Sequence, residues 1–381
     1  MPKAGALKGP SRGVDRAQGG GLCRVMVVDD SAVIRGFLTR ALEGDDDIAV
    51  IESVSNGELA LKAIARSEVD IVVLDIEMPV MDGLTALPLL LKARPGVKVI
   101  MASTLTRKNA AISIQALAAG ASDYIPKPSS ARELHSSEDF RRDLVAKVKA
   151  LTGRAIIPGV PSTAGEPAPA RPRLYGSGRI ELRKPSSYTP GVLAVGSSTG
   201  GPQALFKLFE MLDSKLRIPI LVTQHMPPTF TTLLAENIDR LSRFQCVEAA
   251  DKDEVKPGCI YIAPGDHHML VERKGKQSLI RLDQGPAENF CRPAVDPMLR
   301  SLIEIYGPRV LGVILTGMGQ DGLQGGRAVV EAGGTIIAQD EESSVVWGMP
   351  GAVATAGLCS ATMPVDQLAY KILRLVGGAG R

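Results

Sequence analysis

Three residues in the second half of the chain have the types and positions that a serine hydrolase needs. Ser198 is the centre of the G-x-S-x-G pattern in "AVGSSTGG", His225 follows the apolar run "IPILVTQ", and Asp321 lies in "ILTGMGQDGLQGG". A serine nucleophile needs a base that removes its proton and an acid that orients the base. We therefore expect a catalytic triad if the three apolar runs are strands whose ends lie side by side.

The glycine-flanked loop around Ser198 has other interpretations. A P-loop needs a lysine after its glycines, and a dinucleotide-binding turn needs G-x-G-x-x-G, but "GSSTGG" has neither. A plain strand-to-helix turn fits the loop alone better than a nucleophile does, so it is His225 and Asp321 that favour the nucleophile. In that interpretation Gly196 and Gly200 leave room for the serine.

The remaining histidines and a second aspartate are weaker candidates. His135 is expected in the last helix of the first half, and His267 and His268 alternate on a predicted hairpin, where a surface or core role is expected. Asp296, near the start of a predicted helix, is the alternative to Asp321 as the acid. The chain order Ser, His, Asp differs from that of α/β-hydrolases, so the triad does not imply that fold.

Acids, a hydroxyl and a lysine follow apolar runs in the first half of the chain. Asp29 and Asp30 end "RVMVVDD", Asp75 ends "VDIVVLD", Ser103 ends "VKVIMAS" and Lys127 follows "SDYIP". Carboxylates at one sheet edge repel one another unless a cation such as Mg²⁺ neutralises them. A carboxylate beside Mg²⁺ can accept a phosphoryl group, which the hydroxyl and the lysine could then bind.

These candidate sites depend on two α/β domains. Five strand–helix units between residues 22 and 142 predict a parallel sheet with helices on both faces, and residues 191–378 predict a second, less regular α/β domain with a hairpin. Residues 1–21 are expected to be a disordered tail. Residues 143–190, which contain the end of a helix and a proline- and glycine-rich stretch, are expected to be a linker.

Composition excludes several classes of protein. A net charge of +3 over 381 residues argues against an extended nucleic-acid surface, and no apolar run approaches the ~18 residues of a membrane span. The start of the chain has no apolar core typical of a signal peptide. The five cysteines are scattered and form no C-x-x-C pair, which favours a reducing cytoplasm over a disulfide framework.

The first half closely resembles a response-regulator receiver domain, which has a flavodoxin-like (βα)5 fold. The segments "VVDDS", "VVLDIEMPVMDGL", "MASTLT" and "YIPKP" stand in that family's order. The resemblance implies a Mg²⁺ site formed by Asp29, Asp30, Asp75 and the backbone carbonyl of Glu77. It also implies that Asp75 accepts a phosphoryl group from a CheA-type histidine kinase. The implied switch residues are Ser103, Tyr124 and Lys127.

The second half resembles the catalytic domain of chemotaxis receptor-glutamate methylesterases, a doubly wound, mainly parallel α/β domain. The segments "GSSTGGPQAL", "QHMPPTFT", "VDPMLRSL", "LTGMGQDGLQG" and "SVVWGMPGAV" carry it. The resemblance implies Ser198 as nucleophile, His225 as base and Asp321 as acid. It places an oxyanion-binding backbone amide at Met318, and we expect a second one near Thr199. Ser197 stands where the family often has alanine.

The two resemblances together imply a phosphorylation-activated hydrolase. It would remove methyl esters from glutamates, and amides from glutamines, of chemotaxis receptors, with no cofactor needed for the hydrolysis itself. The unphosphorylated receiver would cover the catalytic cleft and move away once Asp75 is phosphorylated. The alternative is a receiver-controlled protein with a non-catalytic binding or DNA-binding output.

Overall fold

The computed structural model describes residues 21–104, 106–127, 138–153, 180–213 and 216–377. The predicted tail before Gly21, residues 154–179 of the predicted linker, and His135 lie outside the described residues. Within the described ranges, no helix combines the length and the apolar composition needed to cross a membrane.

The first domain is built on a parallel sheet with the strand order β2-β1-β3-β4-β5. Its strands are Cys23–Val28 (β1), Ile48–Val54 (β2), Ile71–Asp75 (β3), Lys98–Ser103 (β4) and Asp123–Pro126 (β5). Its helices are Ala32–Glu43 (α1), Gly57–Arg66 (α2), Gly83–Ala93 (α3), Arg107–Ala118 (α4) and Glu138–Leu151 (α5). The predicted (βα)5 receiver architecture is confirmed.

Local sequence explains where the first four helices begin. Each follows a residue whose side-chain oxygen accepts a hydrogen bond from a backbone N–H in the first turn, which satisfies a donor that the helix itself leaves free. These capping residues are Ser31, Asn56, Asp82 and Thr106. Because each cap comes a few residues after a strand, the helices start close to the carboxyl edge of the sheet.

The second domain has a seven-stranded parallel sheet with the order β14-β13-β12-β6-β7-β9-β8 and a separate antiparallel hairpin, β10-β11. The strands are Val192–Ser197 (β6), Ile220–Gln224 (β7), Gln245–Glu248 (β8), Cys259–Ile262 (β9), His268–Lys274 (β10), Gln277–Asp283 (β11), Val310–Ile314 (β12), Thr335–Gln339 (β13) and Cys359–Met363 (β14). The helices are Gly201–Met211 (α6), Phe230–Leu241 (α7), Val295–Tyr306 (α8), Leu323–Glu331 (α9), Met349–Thr355 (α10) and Val365–Val376 (α11), with a 3₁₀ turn at Gly307–Arg309.

The order of these strands confirms the predicted doubly wound domain with a hairpin. The central strand β6 is buried along its whole length and lies between β7 and β12. Because all three run parallel, their carboxyl ends meet at one edge of the sheet, where ligands bind in folds of this type. The strands β8 and β14 and the helix α10 were not predicted; each is only four to seven residues long.

Candidate functional site

Ser198 and His225 follow neighbouring strands at the same level of the sheet. Ser197 and Gln224 form the last pair between β6 and β7, and the backbone N–H of His225 donates to the carbonyl of Ser197 at 3.1 Å. On the other side of β6, the N–H of Ser198 donates to the carbonyl of Thr316, also at 3.1 Å. Ser198 therefore lies between the residue after β7 and the loop after β12.

His225 and Asp321 are in direct contact. The imidazole Nε2 lies 2.8 Å from Oδ2 of Asp321, whose side chain is 1% exposed. The same carboxylate accepts hydrogen bonds from the backbone N–H groups of Val295 (2.6 Å), Asp296 (3.1 Å) and Gly322 (3.0 Å), the first two at the start of α8. Burial opposes ionisation, but His225 and the amides of Val295 and Asp296 lower the pKa of Asp321 below its ordinary value.

The other imidazole nitrogen of His225 faces Cys291 rather than Ser198. Nδ1 lies 3.3 Å from Sγ of Cys291, and Ser198 Oγ has no hydrogen-bond partner among the described residues. Burial alone would lower the pKa of His225, but Cys291 and Asp321 favour the charged form and raise it to about 10. In this arrangement both nitrogens of the imidazole have partners other than Ser198.

Asp296, the alternative acid, lies beside Asp321 and makes no contact with His225 among the described residues. Asn289 joins the two carboxylates: its Nδ2 donates to Oδ2 of Asp296 at 3.0 Å and to Oδ1 of Asp321 at 2.9 Å. The N–H of Gly325 donates to Oδ1 of Asp296 at 2.6 Å. Burial and the neighbouring Asp321 raise the pKa of Asp296. Asp296 and Asn289 thus hold Asp321 in place.

The glycines around Ser198 differ in role from the expectation. A Cβ on Gly196 would lie 2.7 Å from Val295 at the start of α8, and Gly200 has a left-handed φ of 74°. Neither makes room for the serine, so that expectation is wrong. A Cβ on Gly317 would lie 2.8 Å from Cβ of Ser198 and 2.9 Å from its nitrogen. The glycine that leaves space for Ser198 is therefore Gly317, in the loop after β12.

Two backbone amides, one directly after Ser198 and one directly after Gly317, donate to no acceptor among the described residues. Within the described part of the chain, neither the N–H of Thr199 nor that of Met318 makes a hydrogen bond, although Thr199 is only 3% exposed. A buried N–H without a partner is costly in a folded protein. Donors of this kind, at the ends of adjacent strands, are available to bind the negative oxygen of a tetrahedral intermediate.

Three carboxylates and a lysine meet at the carboxyl edge of the first sheet. Asp29, Asp30 and Asp75 each offer an oxygen within 4.8 Å of the others, and Nζ of Lys127 lies 2.5 Å from Asp29 and 2.6 Å from Asp75. Burial is the main cause that raises the pKa of Asp75; Asp29 adds to it and Lys127 opposes it. Such a set of hard oxygen donors fits Mg²⁺.

Of the other residues predicted for the receiver site, Ser103 is buried and the side chain of Glu77 is exposed. Ser103 is buried at the end of β4, where its hydroxyl accepts a hydrogen bond from Ser113 at 3.0 Å. The side chain of Glu77 is exposed and pairs with Lys108 at 2.7 Å. The role of its backbone carbonyl remains a prediction.

Tyr124 and Asp123 of the first domain contact the second domain near the residues that follow Ser198 and His225 in the chain. The ring of Tyr124 stacks on Phe230, the first residue of α7, with centroids 4.3 Å apart and planes at 15°. Oγ1 of Thr199 donates to Oδ2 of Asp123 at 2.9 Å, and Lys147 on α5 donates to the same oxygen at 2.6 Å. The receiver therefore touches the residue that follows Ser198.

Further contacts extend this interface along α4. Nε2 of Gln203 on α6 donates to the carbonyl of Leu117 at 3.0 Å and also contacts that of Ala121. Arg107 forms an ion pair with Glu236 on α7 at 3.2 Å. Sequence patterns predicted none of these contacts, because the residues involved are separated by 82 or more positions.

Both halves of the chain match families of known proteins. Residues 193–372 match the family model of the CheB methylesterase, and residues 25–138 match that of the response regulator receiver domain. "Protein-glutamate methylesterase/protein-glutamine glutaminase 1" of Paramagnetospirillum magneticum is 55% identical, over 92% of this chain and 96% of its own length. The "Protein-glutamate methylesterase/protein-glutamine glutaminase" of Azospirillum brasilense is 54% identical, over 95% of each chain. The crystal structure of the CheB methylesterase catalytic domain of Thermotoga maritima is 42% identical, covers 50% of this chain and 100% of that one, and has a TM-score of 0.48.

Proposed function

Because the chain belongs to the CheB methylesterase family, we propose that it hydrolyses glutamate γ-methyl esters on chemoreceptors under control of its receiver domain. Glutamine side chains of the same receptors are the second substrate, because an amide passes through the same kind of tetrahedral intermediate. The observation that carries the proposal is the His225–Asp321 contact of 2.8 Å at the strand ends beside Ser198. The reducing cytoplasm, which the cysteine pattern favours, is where we place the reaction.

The first chemical step is attack by Oγ of Ser198 on the γ-carbonyl carbon of the ester. His225 takes the serine proton and passes it to the methoxy group, so that methanol leaves and an acyl-enzyme remains. Water then attacks the acyl-enzyme by the same route, which yields the glutamate and restores Ser198. With a glutamine substrate, ammonia leaves in place of methanol.

The amides of Thr199 and Met318 are the donors that we assign to the oxyanion. Thr199 lies two residues after β6, and Met318 lies in the loop after β12. Neither amide donates to another acceptor among the described residues. In other enzymes, loss of one such donor costs about 3–4 kcal/mol of transition-state stabilisation. Rigid backbone donors suit this role because they need no reorganisation as the charge develops.

Asp321 determines which nitrogen of His225 acts as the base. Its carboxylate accepts a hydrogen bond from Nε2, so the proton of Ser198 must go to Nδ1. Nδ1 is the atom that faces Cys291 at 3.3 Å. Catalysis therefore requires that Ser198 Oγ replace Cys291 Sγ at Nδ1. The described arrangement is accordingly an inactive one.

Phosphorylation is assigned to Asp75 in the receiver, with a CheA-type histidine kinase as the donor. Asp29, Asp30, Asp75 and the carbonyl of Glu77 would hold Mg²⁺, which neutralises charge on the phosphoryl oxygens. Lys127, now paired with Asp29 and Asp75, supplies a further positive charge for the phosphate. Ser103 is buried at the neighbouring strand end and offers it a hydroxyl.

Regulation acts through the contact between the domains. Asp123 binds Thr199 next to the nucleophile, and Tyr124 stacks on Phe230, five residues after His225. A phosphate on Asp75 activates the enzyme only if it favours the arrangement in which these contacts are broken. The stacking of Tyr124, a predicted switch residue, on Phe230 of α7 supports this route.

Methanol release from a methylated receptor tests the proposal. We expect release by the wild type, a marked increase with a small-molecule phosphodonor, no increase for Asp75→Ala, and no release by Ser198→Ala. Turnover by Ser198→Ala at the wild-type rate would disprove the nucleophile assignment. Specific binding of duplex DNA without methanol release would favour the alternative output.

A further inference from the structure

A tight turn beside the catalytic residues holds an aromatic side chain in an unusual backbone conformation. Glu288 and Cys291 exchange two backbone hydrogen bonds, of 3.1 and 2.9 Å, around Asn289 and Phe290. Both central residues have a left-handed φ, 52° and 62°. Asparagine suits the first position of such a turn, but the second normally takes glycine, because a bulky side chain is strained there.

The side chains on either side of Phe290 in this turn all contact other residues of the protein. Glu288 pairs with Arg300, Asn289 binds Asp296 and Asp321, Cys291 contacts His225, and Arg292 binds Asp266. Phe290 is the exception: 97% of it is exposed, a larger fraction than for any other large hydrophobic residue in the described ranges. The turn is thus a rigid support for one exposed ring.

The position of the ring connects it to the reaction. Phe290 lies between Asn289, which contacts Asp321, and Cys291, which contacts His225. Consecutive Cα atoms are 3.80 Å apart, so Phe290 is only one residue from each of these contacts. It therefore stands at the rim of the catalytic site, and it stays exposed while the receiver is in contact with the catalytic domain. Within the described protein, no contact of the ring compensates for the free-energy cost of the left-handed backbone and of the exposed apolar surface. A costly conformation of this kind is typical of a functional constraint.

We propose that Phe290 is a substrate-docking residue whose ring packs against apolar side chains beside the esterified glutamate of the substrate protein. This inference rests on the proposed function. A glutamate side chain is short, so the surface of the substrate protein must lie against the rim of the site when the ester reaches Ser198. An aromatic ring provides a large apolar contact at a small cost in side-chain entropy, and aromatic residues often dominate binding at protein interfaces.

Direct binding measurements test the proposal without turnover. The full-length Ser198→Ala protein and its Ser198→Ala/Phe290→Ala derivative are titrated with the cytoplasmic fragment of a methylated chemoreceptor. We expect the dissociation constant to rise roughly tenfold when the ring is removed, as for a typical aromatic anchor. Phe290→Leu should retain part of the affinity. Tyr370→Ala, which removes a 63% exposed aromatic residue from α11, is the matched control and should bind normally.

Phe290→Gly separates docking from a structural role. Glycine adopts a left-handed φ without strain, so the thermal midpoint should stay the same or rise while the affinity falls. Equal affinity of Phe290→Gly and the Tyr370→Ala control would overturn the proposal. Self-association of the wild type that Phe290→Ala abolishes would also overturn it, because a second copy of the chain would then cover the ring. If the wild type releases no methanol but Phe290→Ala still weakens receptor binding, the proposed function fails and the docking role stands.

Discussion

The two sites of the molecule differ in how their residues are supported. In the receiver, Lys127 already bridges Asp29 and Asp75, and all three lie at the ends of strands of one sheet. In the catalytic domain, His225 contacts Asp321, but Oγ of Ser198 hydrogen-bonds to neither of them. The second site also depends on the turn that carries Cys291 and on Asp123 of the receiver. A site supported by one sheet is complete by itself, whereas one that shares residues with loops and a second domain is open to regulation.

The largest effect is expected from removal of Ser198, the proposed nucleophile, whose Oγ makes no hydrogen bond to His225 or Asp321. Ser198→Ala should reduce methanol release by about 10⁴-fold or more, since loss of a serine nucleophile removes the covalent route. Ser197→Ala is the matched control, because Ser197 is equally close to the turn but hydrogen-bonds Gln224 at 2.7 Å. It should keep activity within about threefold, because its hydroxyl contacts Gln224 rather than His225 or Asp321. Similar losses for both variants would mean that the turn, rather than the hydroxyl, is what the reaction needs.

The next effect distinguishes the two carboxylates that lie next to each other. Asp321→Asn should reduce kcat by about 10³–10⁴-fold, because the amide no longer stabilises the imidazolium that forms during the reaction. Asp296→Asn should cost less, about tenfold, because among the described residues the Asp296 side chain does not contact His225 and reaches Asp321 only through Asn289. Steady-state kinetics on a methylated receptor measure both. A larger loss for Asp296→Asn would make Asp296 the acid.

The strand ends were predictable from the sequence, and the loops between them were not. Ser198, His225 and Asp321, like Asp29, Asp75 and Lys127, follow apolar runs that parallel strands bring to one edge. Asn289, Cys291 and Gly317 follow no periodic pattern, and their roles depend on where a loop crosses the sheet. Cys291 is 66 residues from His225, and single-sequence spacing does not encode a contact at that distance. The strands β8 and β14 were missed because polar residues interrupt their short sequences, QCVE and CSATM, so that neither is a continuous apolar run.

A smaller effect should come from the interface that makes the catalytic site depend on the receiver. Gln203→Ala removes hydrogen bonds from α6 to the carbonyls of Leu117 and Ala121 without touching either site. Because a net hydrogen bond is worth about 1 kcal/mol, we expect methanol release without phosphodonor to rise roughly fivefold. Lys207→Ala, on the same helix and paired with Asp366 within its own domain, should leave it unchanged. Equal basal rates for both variants would contradict a closed arrangement held by this face.

The smallest effect is expected from removal of the Cys291 thiol, which faces Nδ1 of His225, the nitrogen proposed to accept the proton of Ser198. Cys291 is one of the groups that raise the pKa of His225 to about 10, so Cys291→Ala should lower that pKa. Since the neutral imidazole is the base, activity increases as pH rises through this pKa, and a lower pKa shifts the rising limb of the pH–rate profile to lower pH. We expect roughly two- to fivefold more methanol release at pH 7, while Cys259→Ala, a control thiol that contacts Gln245, keeps the wild-type profile. If the rising limb lay at the same pH in Cys291→Ala and wild type, Cys291 would have to leave Nδ1 before the His225 imidazole loses its proton. The receiver, rather than the thiol, would then be what prevents Ser198 from reaching His225.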